Sequence, residues 1–361
     1  MKKTTFQLQL MFLSAAIATL SACGSAPEDK KKDQSAQARM AAKCQDGKLA
    51  VDGTSNVVGG QIVGSGSWLA KSAVMLVMMD RNEPDKAQLC TGALVDRDIV
   101  LTAAHCVSGF EAAETYVFFE SKPECTPTGT VDLSKATQAT RLTIHPDYRD
   151  EEFFLSQSYE MRNSPGDVAL VKLSAAAPAA WRTSMISGTY IDPQTNLILA
   201  AGYGKTISSS RNVDEAPITL RGTYLRGLMP RTEKQASEQL RNVLTREMSS
   251  FDLSVQQREN IARLLNLSSY FVSGADQPLL FVDQSMNSGI CQGDSGGAAF
   301  AQKNSKYYIV GVASFVSNPQ KSEQLCSLVG AYTNTLKYKS WIDGQFRLMR
   351  SIQSSKSTLF E

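Results

Sequence analysis

The chain has 361 residues, 42% hydrophobic and 20% charged, ordinary fractions for a globular protein that call for no fibrous, disordered or membrane-spanning whole. A formal charge of +2 and a pI near 8.1 supply no broad basic field that would draw a domain onto nucleic acid, so DNA and RNA are set aside as partners. The length suits two packed β-barrels that share one site.

Lys2 and Lys3, an apolar run through Leu20 and small residues before Cys23 read as an export signal over residues 1–22. The run is too short for a comfortable transmembrane helix. Leu20-Ser21-Ala22-Cys23 resembles a bacterial lipobox, which implies lipidation at Cys23 and a membrane anchor in the bacterial cell envelope, with the outer membrane favoured. An ordinary secretory signal with an incidental cysteine is the alternative, and would leave the protein secreted. With Cys23 set aside, Cys44, Cys90, Cys106, Cys125, Cys291 and Cys326 form an even set suited to disulfides in an oxidising compartment. Their spacing is not that of a zinc knot, and only two histidines exist to help, so no metal is expected.

Residues 23–56 include the stretch Ser25-Ala26-Pro27-Glu28-Asp29-Lys30-Lys31-Lys32-Asp33-Gln34, charged and poor in large apolar side chains, which predicts a flexible tether or propiece. From about Val57 the grammar changes to short β-rich runs broken by Gly, Pro, Asn and Asp, such as Ala73-Val74-Met75-Leu76-Val77, Ile99-Val100-Leu101, Val168-Ala169-Leu170-Val171 and Tyr308-Ile309-Val310-Gly311-Val312, which suggests barrels or sandwiches. One interval departs from it. Between about 230 and 268, Leu240, Val243, Leu244 and Met248, then Ile261, Leu264 and Leu265, recur at helical spacing. Thr232 with Gln235 and Ser254 with Gln257 can form capping boxes, so a helical hairpin is predicted: a lid, a partner-binding arm or a stabilising flap.

The strongest chemical signal is Cys291-Gln292-Gly293-Asp294-Ser295-Gly296-Gly297. A nucleophilic serine needs an exposed hydroxyl on a tight turn, with backbone N–H groups aimed at the developing oxyanion. The flanking glycines permit that turn. Gly-x-Ser-x-Gly alone is a weak match, because an unrelated hydrolase fold uses the same letters; the longer string is far more specific. A hydroxyl needs a base, and only His105 and His145 are available. His145, in Ile144-His145-Pro146-Asp147, reads as a surface turn, whereas His105 follows a β-like run in Leu101-Thr102-Ala103-Ala104-His105-Cys106. The base in turn needs a carboxylate to hold its tautomer. Asp167, opening the apolar run Asp167-Val168-Ala169-Leu170-Val171-Lys172-Leu173, falls at a core boundary.

From about Val57 to Phe346 the sequence resembles the chymotrypsin/trypsin superfamily of serine proteases. The resemblance rests on Val57-Val58-Gly59-Gly60, the His105 motif, the Asp167 run, Ala201-Gly202-Tyr203-Gly204, the Ser295 motif and the closing Tyr332-Thr333 through Trp341-Ile342, with the order His, Asp, Ser along the chain. It implies an all-β protease domain over 57–350, made of two packed six-stranded antiparallel β-barrels. These span about 57–175 and 185–340, with a C-terminal helix and the helical insertion in the second barrel. It implies a serine endopeptidase acting on protein or peptide substrates, expected to be monomeric and to need no cofactor. Ser295 would attack the scissile carbonyl, His105 would take and return the proton, and Asp167 would orient His105. The N–H groups of Gly293 and Ser295 would form the oxyanion hole. Ser314 would support the Asp167 carboxylate, and the strand Ser314-Phe315-Val316 would pair with substrate.

The resemblance also joins Cys90 to Cys106 and Cys291 to Cys326, leaving Cys44 with Cys125. In trypsin-like members an Asp six residues before the nucleophile pairs with substrate Lys or Arg; here that position is Gly289, followed by Ile290. Val316 would narrow the pocket entrance while Gly330 leaves the far wall small, so Val, Ala or similar residues are expected before the cleaved bond. A zymogen is also expected, in which the amino terminus freed at Val57 pairs with Asp294. Asn56 stands before that bond in place of Lys or Arg, which disfavours a trypsin-like activator. Two rival readings are a catalytically silent binding lipoprotein and an esterase using the same triad. The intact His105, Asp167 and Ser295 set argues against the first.

Overall fold

The computed structural model describes residues 40–45, 48–51, 58–79, 87–120, 125–127, 131–148, 166–193, 195–204, 218–228, 276–286, 288–317, 326 and 329–357. The predicted signal, Cys23, Val57 and the predicted helical insertion lie outside them. Alternating and wholly apolar runs become strands, and the strands close on themselves twice.

The first barrel is built from β4 (Ala73–Met79), β5 (Ala87–Asp96), β6 (Ile99–Thr102), β7 (Thr115–Phe118), β8 (Ala136–Ile144) and β9 (Ala169–Leu173). They are antiparallel neighbours in the order β5-β4-β7-β8-β9-β6, and β6 returns to β5. Closure leaves few bare edges. Val74, Met75, Leu76, Leu89, Leu94, Ile99, Val100 and Leu101 are fully buried; since neighbours on a strand face opposite sides, both faces of these strands are covered, which is why the runs read as nearly unbroken apolar sequence.

The second barrel consists of β10 (Ile198–Gly202), β11 (Arg221–Leu228), β12 (Leu279–Asp283), β13 (Ala298–Lys303), β14 (Lys306–Ser317) and β15 (Val329–Asn334). Their order is β10-β13-β14-β15-β12-β11, closed by the β10–β11 pairing. A short β3 (Gln61–Ile62) adds to β11. The β13–β14 hairpin turns on Asn304 and Ser305, both with positive φ, as a tight turn matched to strand twist requires.

Two strands fall within the range expected to be a tether. The antiparallel pair β1 (Met40–Gln45) and β2 (Lys48–Val51) joins the first sheet where Met40 faces Leu89 and Ala42 faces Ala87 on β5. Strand β5 outruns its β6 partner at that end, which leaves an edge for β1.

Helix α1 (Ala104–Val107) is one buried turn after β6. Helix α2 (Lys339–Ser357) closes the described chain; it buries Ile342 and Met349 against the core and is pinned to the end of β5 by Arg350 on Asp96 at 2.6 Å. No helix among the described residues is long and apolar enough to cross a membrane.

Candidate active site

Asp167 emerges just before β9 on a constrained turn. Gly166 has φ 74°, a conformation glycine reaches without strain, and its N–H donates to the Tyr338 hydroxyl at 2.9 Å. Thr333 Oγ1 donates to the Asp167 carbonyl at 2.9 Å. The carboxylate is thereby aimed at α1. His105 N–H donates to Asp167 Oδ1 at 3.0 Å, His105 Nδ1 lies 2.8 Å from Oδ2, and Ser314 Oγ donates to Oδ2 at 2.5 Å. Burial by itself raises the Asp167 carboxyl pKa; the neighbouring His105 charge and the bonds from His105 and Ser314 outweigh that and hold it below the ordinary carboxylate range. An ionised Asp167 accepts a hydrogen bond from Nδ1–H, leaving Nε2 as the ring's acceptor.

Ser314 reaches Asp167 because β14 slips register against β15 between Ala313 and Phe315. A bulge of this kind re-aims one side chain.

Ser295 sits on the turn between Cys291 and β13. Gly293 and Gly296 both have positive φ, 93° and 80°. The turn is fastened to both barrels: Thr91 N–H donates to the Ser295 carbonyl at 2.8 Å, Gly296 N–H to Ala313 at 2.8 Å and Thr91 Oγ1 to the Gly293 carbonyl at 2.9 Å. Thr91 Oγ1 also accepts Tyr203 N–H at 3.0 Å, and the Thr91 carbonyl accepts Thr102 Oγ1 at 2.9 Å. One buried threonine thus links the Ser295 turn, the 201–204 segment and the strand leading to His105. Cys106 Sγ, 3.8 Å from His105 Nε2 and 3.5 Å from the Ser295 carbonyl oxygen, marks how closely the two motifs approach.

The sequence matches the family described as Trypsin over residues 58–263 and 245–342. The chain belongs to the trypsin family. It is 29% identical to bovine complement C1s subcomponent over 260 residues, 70% of this chain and 31% of that protein. It is also 24% identical to the phenoloxidase-activating enzyme of Bombyx mori over 332 residues, 86% of this chain and 66% of that protein, and 22% identical to bovine coagulation factor XI over 289 residues, 80% and 37%. The chain thus spans about a third of the length of C1s and factor XI.

Two disulfides of this trypsin-family domain frame the site, Cys90–Cys106 beside His105 and Cys291–Cys326 beside the Ser295 turn. Cys125 is also disulfide-bonded; the side chain of its expected partner, Cys44, lies outside the described residues. Cys90, His105 and Cys106 bring potential metal-binding atoms within 4.8 Å of one another. The two sulfurs are joined to each other, however, and a disulfide offers no thiolate to an ion.

Asp294 is fully buried. Its Oδ1 accepts Gly204 N–H at 2.7 Å and its Oδ2 accepts Cys291 N–H at 2.8 Å. Burial pushes its pKa up to about 7 despite these two bonds, and among the described residues no cation contacts it. Gly202 and Gly204 allow the close approach: a Cβ on Gly204 would come within 2.5 Å of Asp294 Cγ.

The residues expected to line the substrate pocket converge from three segments. Val58 and Gly289 exchange backbone hydrogen bonds at 3.0 Å, Val316 pairs with Gly330 across β14–β15, and Val316 packs on the Cys291–Cys326 bridge. Beyond Val312 no described strand pairs with the margin of β14 that carries Ser314, Phe315 and Val316. The space beside Gly289 and Gly330 is not open. Gln284, at the end of β12, fills it: a Cβ on Gly289 would lie 2.5 Å from Gln284 Cγ, and one on Gly330 would lie 2.9 Å from Gln284 Cδ.

His145 has a structural setting. It is mostly buried, its ring meets Tyr338 and Trp341 edge-on at 4.9 Å, and Asp147 N–H donates to its Nδ1 at 3.2 Å. Desolvation lowers its pKa, partly offset by Asp147.

Proposed function

We propose that this chain is a serine endopeptidase that hydrolyses peptide bonds through an acyl-enzyme. Ser295 is the nucleophile, His105 the general base and then acid, and Asp167 the residue that orients His105. The observation that carries this reading is the Asp167 carboxylate held by His105 and Ser314 next to the Ser295 turn of a trypsin-family domain. The Ser295 hydroxyl passes its proton to His105 Nε2 as Oγ attacks the carbonyl carbon. The oxyanion then forms against the N–H groups of Gly293 and Ser295. His105 returns the proton to the leaving amine, and water completes the cycle by the same route. The β14 margin at Ser314 to Val316 pairs with the substrate backbone, and the neutral, narrowed pocket favours Val, Ala or similar residues before the cleaved bond. A serine-directed phosphonate should label the processed protein at Ser295, mapped by mass spectrometry, with labelling lost in Ser295→Ala and His105→Ala. Labelling elsewhere, or labelling that survives in both variants, would refute the assignment.

The same reading makes the chain a zymogen, lipid-anchored through Cys23 in the bacterial cell envelope, in which cleavage before Val57 frees an ammonium that pairs with Asp294. A Cys44–Cys125 bridge would keep the propiece attached after cleavage. Stability against pH separates the two forms. In the uncut chain Asp294 keeps its proton up to about pH 7, while an unfolded Asp loses it near 3.9. The folded state therefore binds more protons between these values, and this carboxyl makes the uncut protein more stable as pH falls from 7 towards 4. His145, with a lowered pKa, acts in the opposite sense below about pH 6.5, but equally in both forms. Pairing with an ammonium ionises Asp294 and removes its contribution. Denaturant melts at pH 5 and 7 should show uncut chain gaining stability on acidification relative to cut chain. Identical pH dependence in the two forms would remove the Val57–Asp294 pairing.

A further inference from the structure

We propose that Gln284 forms the floor of the substrate pocket and sets its depth, so that this protease accepts side chains no larger than valine before the cleaved bond. The inference rests on the protease reading above and adds to it a residue outside the expected pocket lining.

Gln284 is fully buried, and its amide is anchored on three sides. Nε2 donates to the Ile290 carbonyl at 3.1 Å and to the Cys326 carbonyl at 2.8 Å, and Oε1 accepts Ile290 N–H at 3.0 Å. Both amide hydrogens are thereby spent. A long polar side chain in this position is ordinarily mobile; here three charge-neutral bonds fix it to the segment before Ser295 and to the Cys291–Cys326 bridge. The glycines at 289 and 330 exist beside it because neither position tolerates a Cβ while Gln284 is in place. They make room for the amide, not for substrate.

Two consequences distinguish this floor from a plain glycine-lined pocket. The space that a long side chain would enter is already occupied by Cγ, Cδ and the amide. The floor also carries no charge, so a cationic group entering it would lose water and meet no carboxylate to pair with. Size exclusion at the floor adds to the narrowing by Val316 at the wall.

The test is a series of peptides differing only in the residue before the cleaved bond, Ala, Val, Leu, Phe and Lys, assayed on the mature full-length enzyme with active sites titrated by phosphonate. Ala and Val peptides should be the best substrates, with kcat/KM falling by roughly tenfold or more at Leu and further at Phe and Lys. In Gln284→Ala, where water can meet the freed Ile290 and Cys326 groups, the Leu-to-Ala ratio should rise by about tenfold or more. In Gln284→Met, which keeps the length and loses the amide, that ratio should stay within about threefold of wild type. Wild-type enzyme that cleaves after Leu or Phe as well as after Ala overturns the proposal while leaving the protease reading intact. A Leu-to-Ala ratio unchanged in titratable Gln284→Ala does the same, as does Gln284→Met opening to Leu. Absence of both labelling and turnover with every peptide overturns the protease reading and this proposal with it.

Discussion

Replacing Asp167 with Asn should lower kcat by about 10⁴-fold with KM little changed, the loss this exchange brings in the general Ser-His-Asp template. The cause lies in hydrogen-bond direction. The carboxylate accepts from His105 at two points, the backbone N–H at 3.0 Å and Nδ1 at 2.8 Å, and from Ser314 at 2.5 Å. An asparagine can still accept the backbone N–H through its oxygen, but its NH₂ must then face Nδ1 and Ser314, and it can only donate. The imidazole turns to the tautomer with its proton on Nε2, where it can no longer take one from Ser295. The fold should survive, because size and shape are unchanged. Steady-state kinetics with thermal melts checks both halves. A kcat within tenfold of wild type would show that Asp167 does not govern the His105 tautomer.

Gly296→Ala should be the most damaging single-methyl change near the site. Gly296 has φ 80°, which costs a residue with a Cβ about 1–2 kcal/mol. The added methyl would also come within 2.9 Å of the Ala103 N atom and would strike Thr102 Oγ1 and the Thr91 carbonyl. Two of those three are main-chain atoms of the segments that carry Thr91 and lead into His105, so the clash cannot be relieved by a rotamer change. Stability should fall by about 3 kcal/mol or more, and kcat/KM should fall at least tenfold as the Ser295 turn is pushed away from α1. The control is Gly64→Ala, where no atom lies within 4 Å of the new methyl and both quantities should hold. Denaturant midpoints and kinetics on both variants decide it; a change below about 1 kcal/mol at 296 would mean that the turn is not clamped between the barrels.

The parts of this site that were legible in the sequence are those whose chemistry leaves a local string. Ser295 lies among glycines, His105 beside a cysteine, and Asp167 at the head of an apolar strand; each string is weak by itself, and their order along the chain is what singles them out. The two barrels were legible as a class because packed, closed sheets bury both faces of short apolar runs such as Val74–Val77. Thr91 and Gln284 left no such trace. A threonine within a strand and a glutamine at a strand end are commonplace; their importance arises from segments more than a hundred residues away in one case, and from Gly289, Ile290, Cys326 and Gly330 arriving around one amide in the other. The ribbon within the range of the expected tether left no trace for a similar reason. Nothing in the composition around residues 25–34 announces the strands Met40–Gln45 and Lys48–Val51, which form where the overhang of β5 offers a partner.

That added ribbon has a bearing on how the molecule meets other polypeptides. Unpaired main-chain groups along a strand recruit foreign chains, and two such stretches flank the Ser295 turn, on β5 ahead of Cys90 and on β14 beyond Val312. The former is covered from within by Met40 to Ala42, whereas no described strand pairs with the latter. Strand addition at the first stretch is therefore closed by the chain itself, and the end of that sheet passes outward to β2.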